Sequence, residues 1–234
     1  MNATIKITEK EQLFFQENGY LIKKSMVKDS LIQELQDKVS QHLSQRVQPF
    51  ELEQEVQYPG SPLTQTEKGG DTIRRLKMAF ARDDVFMHWA KNADVVAVLK
   101  KLFQSDMLYL VQSHHNCIMT KQPQYSSETH WHKDIRYWNF DNNYLINTWL
   151  PLDDETINNG CLQVIPKTHL WKTPVDRLDE KLFLRKDLKS NQTWLQKKLS
   201  VELKKGDLLF FHAALFHAAG RNNTRQSKNA VVFT

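Results

Sequence analysis

The sequence predicts an α+β domain, helical in front and built behind on short antiparallel strands that close into a barrel or sandwich. Three observations predict it. Apolar residues recur at helical spacing through the segment 1–104. From residue 105 onward, short runs rich in Leu, Val, Ile, Thr and aromatic residues alternate with turn residues. The 234 residues suffice for one large domain, and they contain no internal repeat or low-complexity tract that would divide them.

Residues 8–18 (TEKEQLFFQEN) read as a helix closed by Gly19, and Tyr20-Leu21-Ile22 as a strand. A second helix starts with Asp29 or Ser30 as N-cap and carries Leu31, Leu35, Val39 and Leu43 at helical spacing. Pro49, Pro59, Gly60, Pro62, Gly69 and Gly70 make 48–72 a long surface loop, and 84–104 is helical again. Strands are expected at 107–112, 116–120, 144–150, 161–165, 207–211 and 229–233. A charged, partly helical insertion at about 170–205 interrupts them.

Composition narrows the function. Hydrophobic content of 40% and charged content of 25% are those of a globular protein rather than a disordered one. No stretch approaches the ~20 apolar residues of a membrane span, and the N-terminus lacks the apolar core of a signal peptide. The two cysteines, Cys117 and Cys161, make no disulfide framework, so a cytoplasmic setting is expected. The net charge is +5, but the lysine runs Lys197-Lys198 and Lys204-Lys205 lack interleaved aromatics. Nucleic acid is therefore not expected, and a small-molecule or lipid-linked anionic substrate is the better use of the charge. No oligomeric seam is legible.

The chemistry starts at His132-Lys133-Asp134. Residues i and i+2 of a strand point to one side, so this pair aims an imidazole and a carboxylate at a common point. A third ligand from a distant strand would complete a two-histidine, one-carboxylate face. That face leaves about three of six octahedral positions open, which suits Fe(II). His130 shares the face of His132, but a His-x-His site of the cupin kind wants a glutamate where Ile135 and Arg136 stand. For the distant ligand, His212 closes a hydrophobic strand while His217 precedes a Gly-Arg-Asn-Asn turn.

Four stretches together resemble the phytanoyl-CoA dioxygenase (PhyH-like) family. They are Thr129-His130-Trp131-His132-Lys133-Asp134 with Tyr137-Trp138; the run from Asn159-Gly160-Cys161-Leu162 through Pro166 to His169; Gly206-Asp207-Leu208-Leu209-Phe210-Phe211-His212; and His217 through Gly220, Asn222 and Thr224 to Lys228. With the Phe15 to Tyr20 entry they cover nearly the whole chain. The resemblance implies a double-stranded β-helix, or jelly roll, in a single domain over 1–234, with helices packed on one sheet and the 170–205 insertion as a lid. It implies an Fe(II)- and 2-oxoglutarate-dependent dioxygenase that consumes O2 and releases succinate and CO2.

The implied iron ligands are His132, Asp134 and His217, the last by its family spacing. The implied 2-oxoglutarate residues are Lys77, Trp149 and Lys228, with Arg225 as the alternative to Lys228. Relatives carry arginine about eleven positions after the last histidine; Lys228 neutralises a carboxylate as a point charge but cannot form the bidentate fork. Ala219 stands where many relatives have serine, and the chain ends at Thr234 inside an expected core strand, as a truncated sequence would. Asp134 is retained where halogenating relatives have a small residue, which argues for hydroxylation. Substrate contacts are expected from Arg136, Tyr137 and Trp138, the 48–72 loop and the insertion. Two rival readings are a non-catalytic binding module, supported by Lys228 and the early stop, and a Zn(II) isomerase or hydrolase. The second has no use for Lys77 and Lys228, two cations suited to a dicarboxylate.

Overall fold

The computed structural model describes residues 7–234. Helix α1 (Glu9–Asn18) opens with a capping box: the Thr8 hydroxyl accepts from the Glu11 N–H, and the Glu11 carboxylate accepts from the Thr8 N–H. It ends at Gly19, whose left-handed φ of 79° lets its N–H return to the Phe15 carbonyl before β1 (Tyr20–Lys23) begins. Helix α2 (Asp29–Ser44) is capped by neither Asp29 nor Ser30. Lys28 holds the cap position without a side-chain bond, and Asp29 lies in the first turn, where its charge meets the helix N-terminus.

The expected loop at 48–72 contains β2 (Phe50–Leu52) and α3 (Glu53–Val56), and β3 (Ile73–Lys77) follows it. Its proline- and glycine-rich part remains without regular structure, but the polar residues beside it disguised strand-forming ones. The expected helix 84–104 is two helices, α4 (Asp84–Ala90) and α5 (Ala93–Phe103), because the Asn92 side chain caps the N–H groups of Asp94 and Val95. Then come β4 (Asn116–Lys121), β5 (Thr129–His132), β6 (Ile146–Pro151) and β7 (Leu162–Val164). Helix α6 (Lys189–Leu195), β8 (Leu199–Val201), β9 (Leu208–His212), β10 (His217–Ala219) and β11 (Lys228–Phe233) complete the chain.

The run 107–112 is not a strand. Among the described residues it has no ladder partner beyond one bond from the Val111 N–H to the Thr234 carbonyl, and Met107 and Tyr109 are exposed. Composition suggested a strand here, but a strand also needs a neighbour to pair with.

The strands form two antiparallel sheets, ordered β1-β9-β6-β11-β4-β3-β2 and β5-β10-β7-β8, the architecture of a jelly roll. The helical front thus supplies β1, β2 and β3 to the larger sheet as well as its cover. Alternation along the strands sorts the core into layers. Ile118, Leu150, Phe210 and Val231 face outward beneath α2, α4 and α5 with Leu35, Val39, Phe86 and Val98. Cys117, Trp149, Val164, Phe211 and Val232 face inward between the sheets. A third cluster of Trp131, Ile165, Leu184, Phe216 and Ala218 lets the 170–205 insertion cover the outer face of the small sheet. The space between the sheets is therefore shielded on both sides, and the site lies there.

Candidate metal centre and co-substrate pocket

His132 ends β5, Lys133 keeps extended backbone (φ −112°, ψ 132°), and Asp134 opens a single 3-10 turn. That one extended residue puts His132 and Asp134 on the same side, as the sequence spacing requires. His217 begins β10 and is the direct partner of His132 across the small sheet. One ligand atom from each of the three residues lies within 4.8 Å of the others, and all three residues are buried. The His132 Nε2 is 3.3 Å from Asp134 Oδ1, and the His217 Nε2 is 3.4 Å from Asp134 Oδ2.

The two imidazoles are oriented alike. His132 Nδ1 lies 2.7 Å from the His130 carbonyl oxygen, and His217 Nδ1 lies 3.0 Å from the Leu215 carbonyl oxygen. A carbonyl only accepts, so each Nδ1 carries the proton and each Nε2 keeps its lone pair for a ligand. Asp134 Oδ1 is buried and accepts no hydrogen bond. A fully buried carboxylate oxygen facing imidazole lone pairs is costly unless a cation sits among them, so these donors fit a divalent metal. His130 lies outside the cluster, 3.8 Å from Glu128, and His212 accepts the Ala214 N–H at its Nδ1.

Sequence reasoning did not reach the groups around Asp134. Asn147 on β6 donates from Nδ2 to Asp134 Oδ2 at 2.8 Å, and both residues are wholly buried. The Asn147 Oδ1 faces His115 Nδ1 at 3.3 Å and accepts from the Thr234 hydroxyl. The cluster is tuned accordingly. Burial, with the nearby His217 ring, pushes His132 down to about 3. Burial would lift Asp134, but the neighbouring His115 and His217 rings hold it well below the usual carboxylate range. Burial also works against charging His217, yet the Asp134 carboxylate raises it. The signal for Asn147 was present: a lone amide stands in the apolar run Leu145-Ile146-Asn147-Thr148-Trp149-Leu150.

A cavity of about 70 Å³ between the sheets touches His132 and His217 and runs to Lys228. Trp149 lines it and donates its indole N–H to Glu155 Oε1 at 3.0 Å. Lys228 lines it with its Nζ 3.0 Å from the Gly160 carbonyl and 3.2 Å from Glu155 Oε1. Arg225 does not line it; it is exposed on the turn before β11. Lys77 does not line it either. Its side chain is 43% exposed and its ammonium lies 3.9 Å from Glu51. Arg75, two residues earlier on the same face, lines the cavity instead, with its Nε buried and unpartnered. A bulge lies just before it in β3. Glu51 pairs with Arg75 and Leu52 with Ile73, so Arg74 is the extra residue, and both arginines line the cavity while Ile73 and Leu76 join the outer core.

The three expected substrate residues follow Asp134 on its 3-10 turn and the residue after it. Tyr137 lines the cavity. The Arg136 guanidinium is held between the Tyr137 and Phe183 rings, at 4.8 and 4.2 Å, and donates to the Lys181 carbonyl at 2.7 Å. Phe183, in the insertion, packs 5.7 Å from the His132 ring. Arg136 therefore fastens the insertion over the metal ligands. Trp138 donates to the Ser113 hydroxyl and stacks on Phe140. Both Ser113 and Phe140 belong to a separate depression of about 1810 Å³, lined by apolar residues such as Leu99, Phe103, Tyr109 and Tyr144.

The sequence profile described as phytanoyl-CoA dioxygenase (PhyH) matches residues 15–230. The chain is 24% identical over 234 residues to a Homo sapiens protein named phytanoyl-CoA dioxygenase, peroxisomal, covering 96% of this chain and 67% of that one. It is 23% identical over 239 residues to a probable phytanoyl-CoA dioxygenase of Caenorhabditis elegans, covering 96% and 74%. The chain thus spans about two thirds of the length of its mammalian relatives. In fold it is similar to the epimerase SnoN solved with Fe3+, alpha ketoglutarate and nogalamycin RO, with a TM-score of 0.75 at 18% identity over 97% of this chain and 82% of that one. It is also similar to EctD from S. alaskensis solved with 2-oxoglutarate and 5-hydroxyectoine, with a TM-score of 0.72 at 20% identity over 100% and 78%.

Proposed function

Because the chain belongs to the phytanoyl-CoA dioxygenase family of Fe(II)- and 2-oxoglutarate-dependent dioxygenases, we propose that it hydroxylates a C–H bond of an anionic small-molecule or lipid-linked substrate. The carrying observation is the pair of Nδ1-anchored histidines that turn bare Nε2 atoms toward the buried Asp134 carboxylate, whose Oδ1 is unpartnered. His132, Asp134 and His217 hold the metal. With 2-oxoglutarate and O2, iron supplies the oxidation of a C–H bond, and the co-substrate leaves as succinate and CO2. The chain's own residues do the rest. The two backbone carbonyls fix the imidazole tautomers, Asn147 fixes the carboxylate, and Phe183, fastened by Arg136, keeps water from the ligands.

Lys228 with Trp149, and Arg75 in place of Lys77, receive the co-substrate; their positions along the cavity support this. The lipid-linked part of the reading rests on the apolar depression whose rim, at Ser113 and Phe140, meets Trp138 beside the metal ligands. The retained metal carboxylate supports hydroxylation. No helix among the described residues is long and apolar enough to cross a membrane. We place the protein in the cytoplasm because its two cysteines are buried and unpaired; microscopy of the tagged protein checks this. The functional test is succinate formation from 2-oxoglutarate under air, with Fe(II) and ascorbate, for wild type and His132→Ala. Iron-dependent succinate that vanishes in the variant is expected. Equal succinate from both proteins would sink the site assignment, and failure of 2-oxoglutarate to bind the Fe(II) protein without air would favour a binding module.

A further inference from the structure

The inner face of β4 and β11 sets two lysines directly opposite each other: Lys121 is the Cα partner of Lys228. Directly opposed residues on antiparallel strands bring Cβ atoms to about 5 Å, where like charges repel. Both lysines are buried, 9% and 3% exposed, and both line the cavity that reaches the metal ligands. Buried lysines normally have a carboxylate each. Lys228 has Glu155 at 3.2 Å, whereas the Lys121 ammonium has the Ser127 carbonyl at 2.9 Å. The adjacent Arg74 is matched by Glu53 at 3.5 Å. This end of the cavity therefore carries two ammonium groups against the Glu155 carboxylate, one positive charge in excess. Burial, then Arg74 and Lys228, push Lys121 down to about 7, as befits a cation short of a counter-charge.

We propose that Lys121 and Lys228 together hold the distal carboxylate of the 2-oxo acid, one ammonium on each oxygen, while Glu155 fixes Lys228 and sets the local charge so that a single carboxylate balances it. The assignment rests on the co-substrate reading above and deepens it. One lysine cannot reproduce the bidentate grip of an arginine, but two opposed lysines restore a two-point contact. Each has donors to spare: an ammonium has three N–H groups, and Lys121 directs one to Ser127 while Lys228 directs two to Gly160 and Glu155.

The test is anaerobic equilibrium dialysis of the Fe(II)-loaded protein against 2-oxoglutarate and, separately, pyruvate, a 2-oxo acid with no distal carboxylate. Lys121→Met is expected to weaken 2-oxoglutarate roughly 10- to 100-fold, the loss of a charge-assisted contact, and to leave pyruvate binding unchanged. Glu155→Gln adds the opposite sign. It keeps the shape and an acceptor for Trp149 but removes the internal competitor, so 2-oxoglutarate should bind more tightly, a gain that structural damage cannot produce. If Lys121→Met weakens both acids alike or neither, or if Glu155→Gln weakens 2-oxoglutarate, the assignment is wrong. Wild-type protein that binds no 2-oxoglutarate would instead overturn the co-substrate reading and this assignment with it.

Discussion

Replacing Asn147 by alanine should weaken metal binding without touching a metal ligand. The side chain donates to Asp134 Oδ2 at 2.8 Å, between two residues with no exposed surface. That bond occupies Oδ2 and leaves Oδ1 toward the His132 Nε2 at 3.3 Å. A buried hydrogen bond to a charged group contributes about 1.5–3 kcal/mol, which corresponds to roughly 10- to 150-fold in affinity. Independently, loss of a partner that orients a metal ligand typically costs about 10- to 100-fold in metal affinity. The two routes agree, so a drop of roughly 10- to 100-fold in Fe(II) affinity is expected. The alanine also strands His115 Nδ1 and the Thr234 hydroxyl, which lowers overall stability. Metal affinity should therefore be measured on folded protein by chelator competition, beside a melting curve of the metal-free protein. A lowered melting temperature with metal affinity within about twofold of wild type would refute the argument, because Asn147 would then be a structural residue alone.

Four further outcomes are expected. The affinity for 2-oxoglutarate should be greatest below about pH 7 and decline as pH rises, because Lys121 loses its proton near 7 and a carboxylate favours its ammonium form. The groups facing it, Arg74, Lys228, Glu53 and Glu155, are all retained in Lys121→Met, so that variant should lose this decline by calorimetry. The same depression means that the unfolded chain, with an ordinary value of 10.5, binds more protons than the folded one above pH 7; stability relative to Lys121→Met should rise with pH across that window. Phe183→Ala should increase 2-oxoglutarate consumption without product, since the ring closes over His132, and equal consumption by both proteins would remove its role as a water barrier. Phe210→Ala, in the outer core with no exposed surface, should cost about 3–5 kcal/mol and lower the melting temperature by roughly 6–20 °C.

The parts of this architecture that were legible in the sequence are those set by local chemistry. The stop of α1 at Gly19, the apolar runs of β6, β9 and β11 and the His-x-Asp spacing all act within a few residues. The site was legible where a ligand had no plausible rival, and His217 needed the family spacing to separate it from His212. What stayed hidden depends on partners distant in sequence. The bulge at Arg74 is defined only by pairing with β2, and that Arg75 rather than Lys77 lines the cavity depends on how far each lies from the ends of the sheet. Lys121 gains meaning only opposite Lys228, and Asn147 only beside Asp134. Composition made 107–112 a strand, but no neighbour exists to pair with it among the described residues.

Along the inner face of β4, β6 and β11 the side chains run from polar to apolar to charged. Asn147 and His115 stand by the metal carboxylate, Trp149, Met119 and Ala230 follow, and Lys121 and Lys228 close the far end. A 2-oxo diacid has the same profile, with a chelating end, a methylene middle and a carboxylate tail. If that correspondence is the basis of recognition, the middle should be separable from the ends. Ala230→Leu tests it. Ala230 is 1% exposed and lines a cavity of about 70 Å³, so an added isobutyl group must intrude on that space or push the sheets apart. Overpacking of this kind typically costs about 1–3 kcal/mol, which the fold should tolerate. The variant should keep wild-type Fe(II) affinity, because no ligand or ligand partner is altered, and lose 2-oxoglutarate binding. Retained 2-oxoglutarate binding would mean that the co-substrate does not pass this rung, whereas joint loss of both would mean that the metal site and the pocket do not behave as separate parts.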